Sequence, residues 1–182
     1  SNTKFVDSGI EAITTSEVEV VVEATGYPSA GILHAQTAFQ NGKHIVMVNV
    51  EADVLAGASL VKEAKSAGVV YSMAYGDQPA LTAEIVDWAR SSGFYVTAAG
   101  KGTKYLPEYH KSTPETVWNY YGLTEKDANE AGMNPKMFNS FLDGTKSSLE
   151  MAAIANACNL RVPSDGLLLS LIHISEPTRL RS

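Results

Sequence analysis

The chain has 182 residues, of which 45% are hydrophobic, 19% charged and 8% aromatic, the make-up of one globular domain or of one domain plus part of a second. Fourteen basic against twenty acidic side chains leave a formal charge of −6, which speaks against a nucleic-acid or anionic-membrane binder that works through bulk positive charge. No apolar run approaches the roughly 18 residues of a membrane span. The lone Cys158 and four scattered histidines supply neither an internal disulfide nor zinc-ligand spacing, so a cytoplasmic protein without a metal is expected.

The chain opens without Met and without the cationic start and apolar block of a signal peptide. It passes at once into a helix-like stretch over residues 6–13 with no strand before it, which reads as a piece cut from within a domain. From residue 17 strand-like and helix-like segments alternate. Val18-Glu19-Val20-Val21-Val22-Glu23-Ala24 has the β-branched density of a buried strand and closes in Thr25-Gly26. A helix follows over 28–39, with Pro28 in its first turn, Ile32, Ala35 and Phe39 on one face, and Asn41-Gly42 as its stop. Next come a strand over 44–49, a helix over 54–67 ended by Gly68, and a strand over 69–75. A helix over 80–91 is opened by Asp77 and Pro79, with Leu81, Ile85, Trp88 and Ala89 as its apolar stripe. A fourth strand, 95–99, runs into Gly100-Lys101-Gly102-Thr103-Lys104.

Four strand-helix alternations with short connections predict an α/β fold: a partial, Rossmann-like, doubly wound parallel sheet with helices on both faces. Beyond Tyr105 a Pro- and aromatic-rich stretch, a polar helix over 124–131 and a long helix-period segment from Pro135 towards Ala157 predict a truncated α-rich domain, with the boundary near Lys104. The string from Leu169 to Arg179 reads, codon by codon, as a transposase adapter from a short-read sequencing library. Residues 169–182 are therefore expected to be a non-native tail, with a genuine amphipathic tail as the alternative.

In open α/β sheets ligands gather beyond the carboxyl ends of the strands, so Thr25-Gly26, Asn49-Val50-Glu51, Tyr75-Gly76-Asp77 and residues 100–104 are the first candidates. Thr25-Gly26 suits a flat ring or a ribose lying close to the backbone, or is a plain strand-to-helix turn. Asn49 is a strand-end ligand or a helix-start residue with Glu51 on the first-turn dipole. The 100–104 loop, with Lys101, Lys104 and two glycines, suits an anionic substrate or is a solvated loop. A Walker loop is excluded by residue order and by Pro107. Asn139, Asp143, Lys146 and Glu150, at i, i+4, i+7 and i+11, would share one helical stripe. A carboxylate beside a lysine is what proton transfer at a carbonyl or hydroxyl carbon needs. A solvent-facing ladder is the alternative, as is a helix that begins near Ser147 with the capping box Ser147-x-x-Glu150. His34 and His110 read as surface or packing residues, Trp88, Trp118, Tyr120 and Tyr121 as core or interdomain aromatics, and Cys158 as buried packing.

The blocks Val21-Val22-Glu23-Ala24-Thr25-Gly26, Val48-Asn49-Val50-Glu51-Ala52-Asp53-Val54, Tyr75-Gly76-Asp77-Gln78-Pro79, Gly100-Lys101-Gly102-Thr103-Lys104-Tyr105 and Phe138-Asn139-Ser140-Phe141-Leu142-Asp143-Gly144-Thr145-Lys146 resemble a known group. It is that of the homoserine dehydrogenase-like NAD(P)-dependent oxidoreductases carrying a SAF domain, which includes deoxyxylulose phosphate reductoisomerase-like enzymes. The resemblance covers about 17–168 and implies a dinucleotide-binding domain over 1–104 that lacks its first strand and glycine-rich loop, followed by a truncated catalytic domain over 105–168. It implies NAD or NADP as cofactor, with the discriminating residue upstream of Ser1, and a small anionic substrate, homoserine-like or deoxyxylulose phosphate-like. Ordinary homoserine dehydrogenases carry a lysine after the strand-end Asn, where this chain has Val50-Glu51. Carried over by position, Thr25, Gly26, Asn49, Val50, Glu51, Tyr75 and Gly76 would face the cofactor. Lys101, Lys104 and Asn139 would hold the substrate, and Lys146, Asp143, Glu150 and Lys101 would act at the reacting carbon, Lys146 as the general acid-base. Nucleic acid and membrane are not expected partners, self-association stays open, and a non-catalytic dinucleotide-sensing module or an inactive fragment is the alternative to an enzyme.

Overall fold

In the computed structural model, which describes residues 3–103 and 106–162, the valine-rich runs form a parallel sheet. Strands β1 (Val20–Glu23), β2 (His44–Met47) and β3 (Tyr71–Met73) lie side by side in chain order, with Val22 opposite Val46 and Val46 opposite Ser72. Branched side chains suit the pleated backbone, and parallel pairing requires crossovers. Helices α2 (Pro28–Gln40) and α3 (Val50–Ala67) provide them, after a short α1 (Gly9–Thr14). Ile45 and Met47 bury with Ala35 and Phe39 of α2 and with Ala52, Leu60 and Ala64 of α3, and Phe39 meets Tyr71 edge-on at 6.3 Å. Buried Lys43 donates its ammonium to the carbonyls of Thr15 (2.8 Å) and Val18, which fixes the approach to β1.

The expectation of helices on both faces is corrected. Val20, Val22 and Val70, on the side away from α2 and α3, stay more than half exposed. The fourth strand is corrected too: residues 94–103 form neither strand nor helix, and Tyr95 is 90% exposed. Tyr-Val-Thr is strand-like locally, but a strand exists only through a ladder partner. In α4 (Gln78–Ser91) it is Pro79 and Val86 that bury, whereas Leu81, Ile85 and Trp88, the anticipated buried stripe, lie on the surface.

The chain divides into two compact units, Ser1–Ala99 with Ala152–Leu160, and Gly100–Met151 with Arg161–Ser182. The second holds a 3-10 helix (Pro107–Lys111), α5 (Val117–Tyr121), α6 (Glu125–Glu130), α7 (Pro135–Leu142) and the first half of α8 (Thr145–Cys158). Tyr109, Val117, Trp118, Ala128 and Leu142 make its core. Of the two readings of the segment from Pro135, one helix or a second helix starting after Gly144, the structure has the second: the chain breaks at Gly144, whose φ of +85° lies in the left-handed region that L side chains disfavour. Lys104 and the proposed tail over 169–182 fall outside the described residues. No described helix is long and apolar enough to cross a membrane.

Candidate functional site

In the first unit the carboxyl ends of β1 and β2 meet through side chains. The Thr25 hydroxyl accepts from Asn49 Nδ2 at 3.4 Å and from the Tyr27 amide at 3.3 Å, and Asn49 Nδ2 also donates to the Tyr27 carbonyl at 2.9 Å. Asn49 Oδ1 accepts the Ala52 amide at 3.1 Å, so Asn49 caps α3 and holds the β1 turn at once. That cap starts α3 at Val50, four residues earlier than expected, and puts Val50 (buried) and Glu51 (half-buried) in its first turn. Gly26 at φ +72° has open space where a Cβ would stand. Gly76 (φ +100°) and the exposed Tyr75 follow β3, and the Tyr75 hydroxyl bonds Glu84, which pushes its ionisation upward.

Sequence reasoning misses Glu23 and takes His34 as a surface or packing residue. Glu23 closes β1 at 2% exposure; its Oε1 accepts the Thr25 amide at 3.2 Å and lies 3.2 Å from His34 Nδ1. Burial pushes this carboxyl up, but hydrogen bonding with Thr25, Asn49 and His34 outweighs it and holds it below the ordinary carboxylate value. Oε2 is buried and no described group meets hydrogen-bond geometry with it, although the Asn49 amide lies near. The signal was an acid at the carboxyl end of an otherwise all-valine strand, in inward phase with Val21.

In the second unit the anticipated stripe divides between two helices. Asp143 closes α7, accepts the amide of Thr145 at 2.8 Å together with its hydroxyl, and so starts α8 two residues before the capping-box position. Asn139 Nδ2 donates to Asp143 Oδ2 at 2.9 Å, while its buried Oδ1 has no hydrogen-bond partner among the described residues. Lys146 Nζ stands 3.8 Å from Glu150 Oε1, and Lys101 Nζ pairs with Glu150 Oε2. Glu150 is 4% exposed, so this is a buried carboxylate between two ammonium groups and not the solvated ladder. The Lys101 amide donates to Met151 Sδ at 3.3 Å, and Gly100 rests so closely on the Met151 methyl that a Cβ would stand 2.6 Å from it.

Residues 76–181, more than half of the chain, match the family described as Oxidoreductase DRL, catalytic domain. The chain belongs to this family. The DRL match contains Lys101, Lys104, Asn139, Asp143, Lys146 and Glu150 and begins at Gly76, whereas Thr25, Asn49 and the Glu23–His34 pair precede it. No curated protein matches the chain. The buried Glu150 carboxylate holds two ammonium groups, from Lys101 and Lys146, in one place.

Proposed function

We propose that this DRL domain is part of an NAD(P)-dependent cytoplasmic oxidoreductase that moves hydride to or from a small anionic metabolite, homoserine-like or deoxyxylulose phosphate-like. The observation that carries the reading is Glu150, buried and held by Lys101 and Lys146. Lys146 donates a proton to the substrate oxygen as the carbonyl is reduced, or takes it back in the reverse direction, and Glu150 keeps that ammonium aimed. Lys101, with Lys104, receives the anionic end of the substrate, and Asn139 offers Oδ1, which has no hydrogen-bond partner among the described residues, to a substrate hydroxyl or ammonium.

The strand ends fit the flat, hydrogen-bonding end of a dinucleotide. Gly26 and Gly76 leave open space beside the backbone, and Thr25 and Asn49 present a hydroxyl and an amide together. Val50, Glu51 and Tyr75 would line the same side. These turns do not suit the pyrophosphate: Pro28 removes an N–H from the first turn of α2, Asn49 and Asp77 cap α3 and α4, and Glu51 and Asp53 add negative charge to the start of α3. Bound there, the nicotinamide would supply or accept the hydride.

The test is turnover of NADH and NADPH with oxo acids and ketose phosphates. Dinucleotide-dependent reduction of one class establishes the reading. Dinucleotide binding without turnover on any carbonyl favours a sensing module, and no binding at all removes the cofactor assignment.

A further inference from the structure

We propose that Glu23 is the positioning residue of the cofactor side: its carboxylate fixes the Thr25-Gly26 turn and the Asn49 amide in the arrangement that a dinucleotide meets, an inference that rests on the cofactor reading above.

A carboxylate at 2% exposure at the end of a valine strand, with one oxygen lacking a hydrogen bond among the described residues, is costly unless its place is required. The Thr25 amide and His34 Nδ1 both meet its Oε1, and the Asn49 amide group lies beside Oε2. A carboxylate only accepts, so the His34 contact requires a proton on Nδ1. Glutamine has nearly the same shape but, whichever way it is turned, faces an NH2 group at one of these donors. The need is therefore for a charged group with no donor on either oxygen, not for a polar filler. The surroundings leave the network little slack. A Cβ on Gly31 would stand 2.7 Å from Asn49 Nδ2 and 3.1 Å from Glu23 Oε2, and a Cβ on Gly9 would stand 2.6 Å from His34 Nε2. Gly31 thus holds open the space in which the acid and the amide lie together, and Gly9 lets α1 close over the far side of the imidazole. Glu23 touches neither bulk solvent nor the open side of the turn; it acts through Thr25 and Asn49.

Glu23→Gln and Gly31→Ala test this in the purified protein, the first by replacing an acceptor with a donor and the second by crowding Oε2 and Asn49 Nδ2 with every network side chain retained. Lys62→Ala, on the exposed side of α3, is the control. Both variants should weaken NADPH or NADH binding about tenfold, the scale of one lost hydrogen bond, and raise the dinucleotide KM alike with kcat within about twofold. In the protein without dinucleotide, both should shift the Thr25 amide resonance and speed its hydrogen exchange, which Lys62→Ala should not. If Glu23→Gln fails to fold, Gly31→Ala carries the comparison. An unmoved Thr25 amide in the folded variants overturns the proposal, as does a moved amide with unchanged dinucleotide affinity. A wild-type protein that binds neither dinucleotide overturns the cofactor reading, and the proposal with it; wild-type binding that survives both variants overturns the proposal alone.

Discussion

Glu150 serves two lysines with one carboxylate, and the two cannot be equivalent. Lys146 lies one turn earlier on the same helix and is fixed to it by the backbone, whereas Lys101 comes from a segment without regular structure and reaches Glu150 across 49 residues of sequence. The helix-borne ammonium is the better candidate for work at a defined atom. Lys146→Ala should lower kcat by about 100- to 10,000-fold, the range of general acid-base catalysis, while dinucleotide affinity stays put. Lys62→Ala should be nearly silent; a kcat for Lys146→Ala within about threefold of wild type would move the acid-base role to Lys101. A second residue-scale test concerns Asp53, whose Oδ1 accepts the Tyr71 hydroxyl at 2.7 Å. Burial pushes the Asp53 carboxyl above its ordinary 3.8, the Tyr71 bond opposing it in part. Because the folded value exceeds the unfolded one, the cost of ionising Asp53 is absent below pH 3.8 and grows as pH climbs through the raised value. Tyr71→Phe removes the bond that moderates this cost, so it should lose about 1 to 3 kcal/mol of stability at pH 7 and less near pH 3. Equal losses in denaturant titrations at both pH values would show that Asp53 is not an ion at neutral pH.

Elements that owe their form to local chemistry were legible in the sequence, and those that owe it to distant partners were not. The β1 and β2 valine runs and the Pro28 start of α2 could be read where they stand, as could the Asp77 start of α4. The 95–99 segment has the same local character as β3 yet forms no ladder, because pairing is a property of two strands. The 135–157 periodicity carries across Asp143-Gly144, so hydrophobic spacing reads as one helix what a left-handed glycine divides into two. Sequence reasoning named Thr25, Asn49, Lys101, Lys146 and Glu150 by type and position. The Lys146 to Glu150 pair could be read from its i, i+4 spacing, whereas Lys101 to Glu150 and His34 to Glu23 close loops that spacing does not reveal. Two measurements belong to this scale. Gly144→Ala should cost about 1 to 2 kcal/mol, the penalty for a Cβ in the left-handed region, and should move the midpoint of thermal unfolding down. Amides 95–97 should exchange with solvent far faster than those of Ile45 and Met47; comparable protection would mean that the segment is paired after all.

Across the whole molecule, the family match begins inside the first unit and continues through the second, so the oxidoreductase assignment is not confined to the helices that carry Lys146 and Glu150. The strand ends offered to a cofactor lie in the first unit and the two-lysine carboxylate in the second, which makes separate variants in each the way to assign binding and chemistry independently. One further residue bears on the folded state as a whole. Cys158 ends α8 at 3% exposure, its carbonyl accepting from Arg90 Nη1 at 2.8 Å, and burial pushes its thiol up while nearby Arg90 pulls it partly back. A shielded, protonated thiol does not attack disulfides, so an aromatic disulfide reagent should label native protein at least about 100-fold more slowly than denatured protein. Since it is the only sulfhydryl in the chain, every labelling event reports the same opening. The molecule therefore carries its own stopwatch: the colour released by that reagent times how often the closed state is left, and slower release with dinucleotide added would weigh ligand binding without any substrate being known.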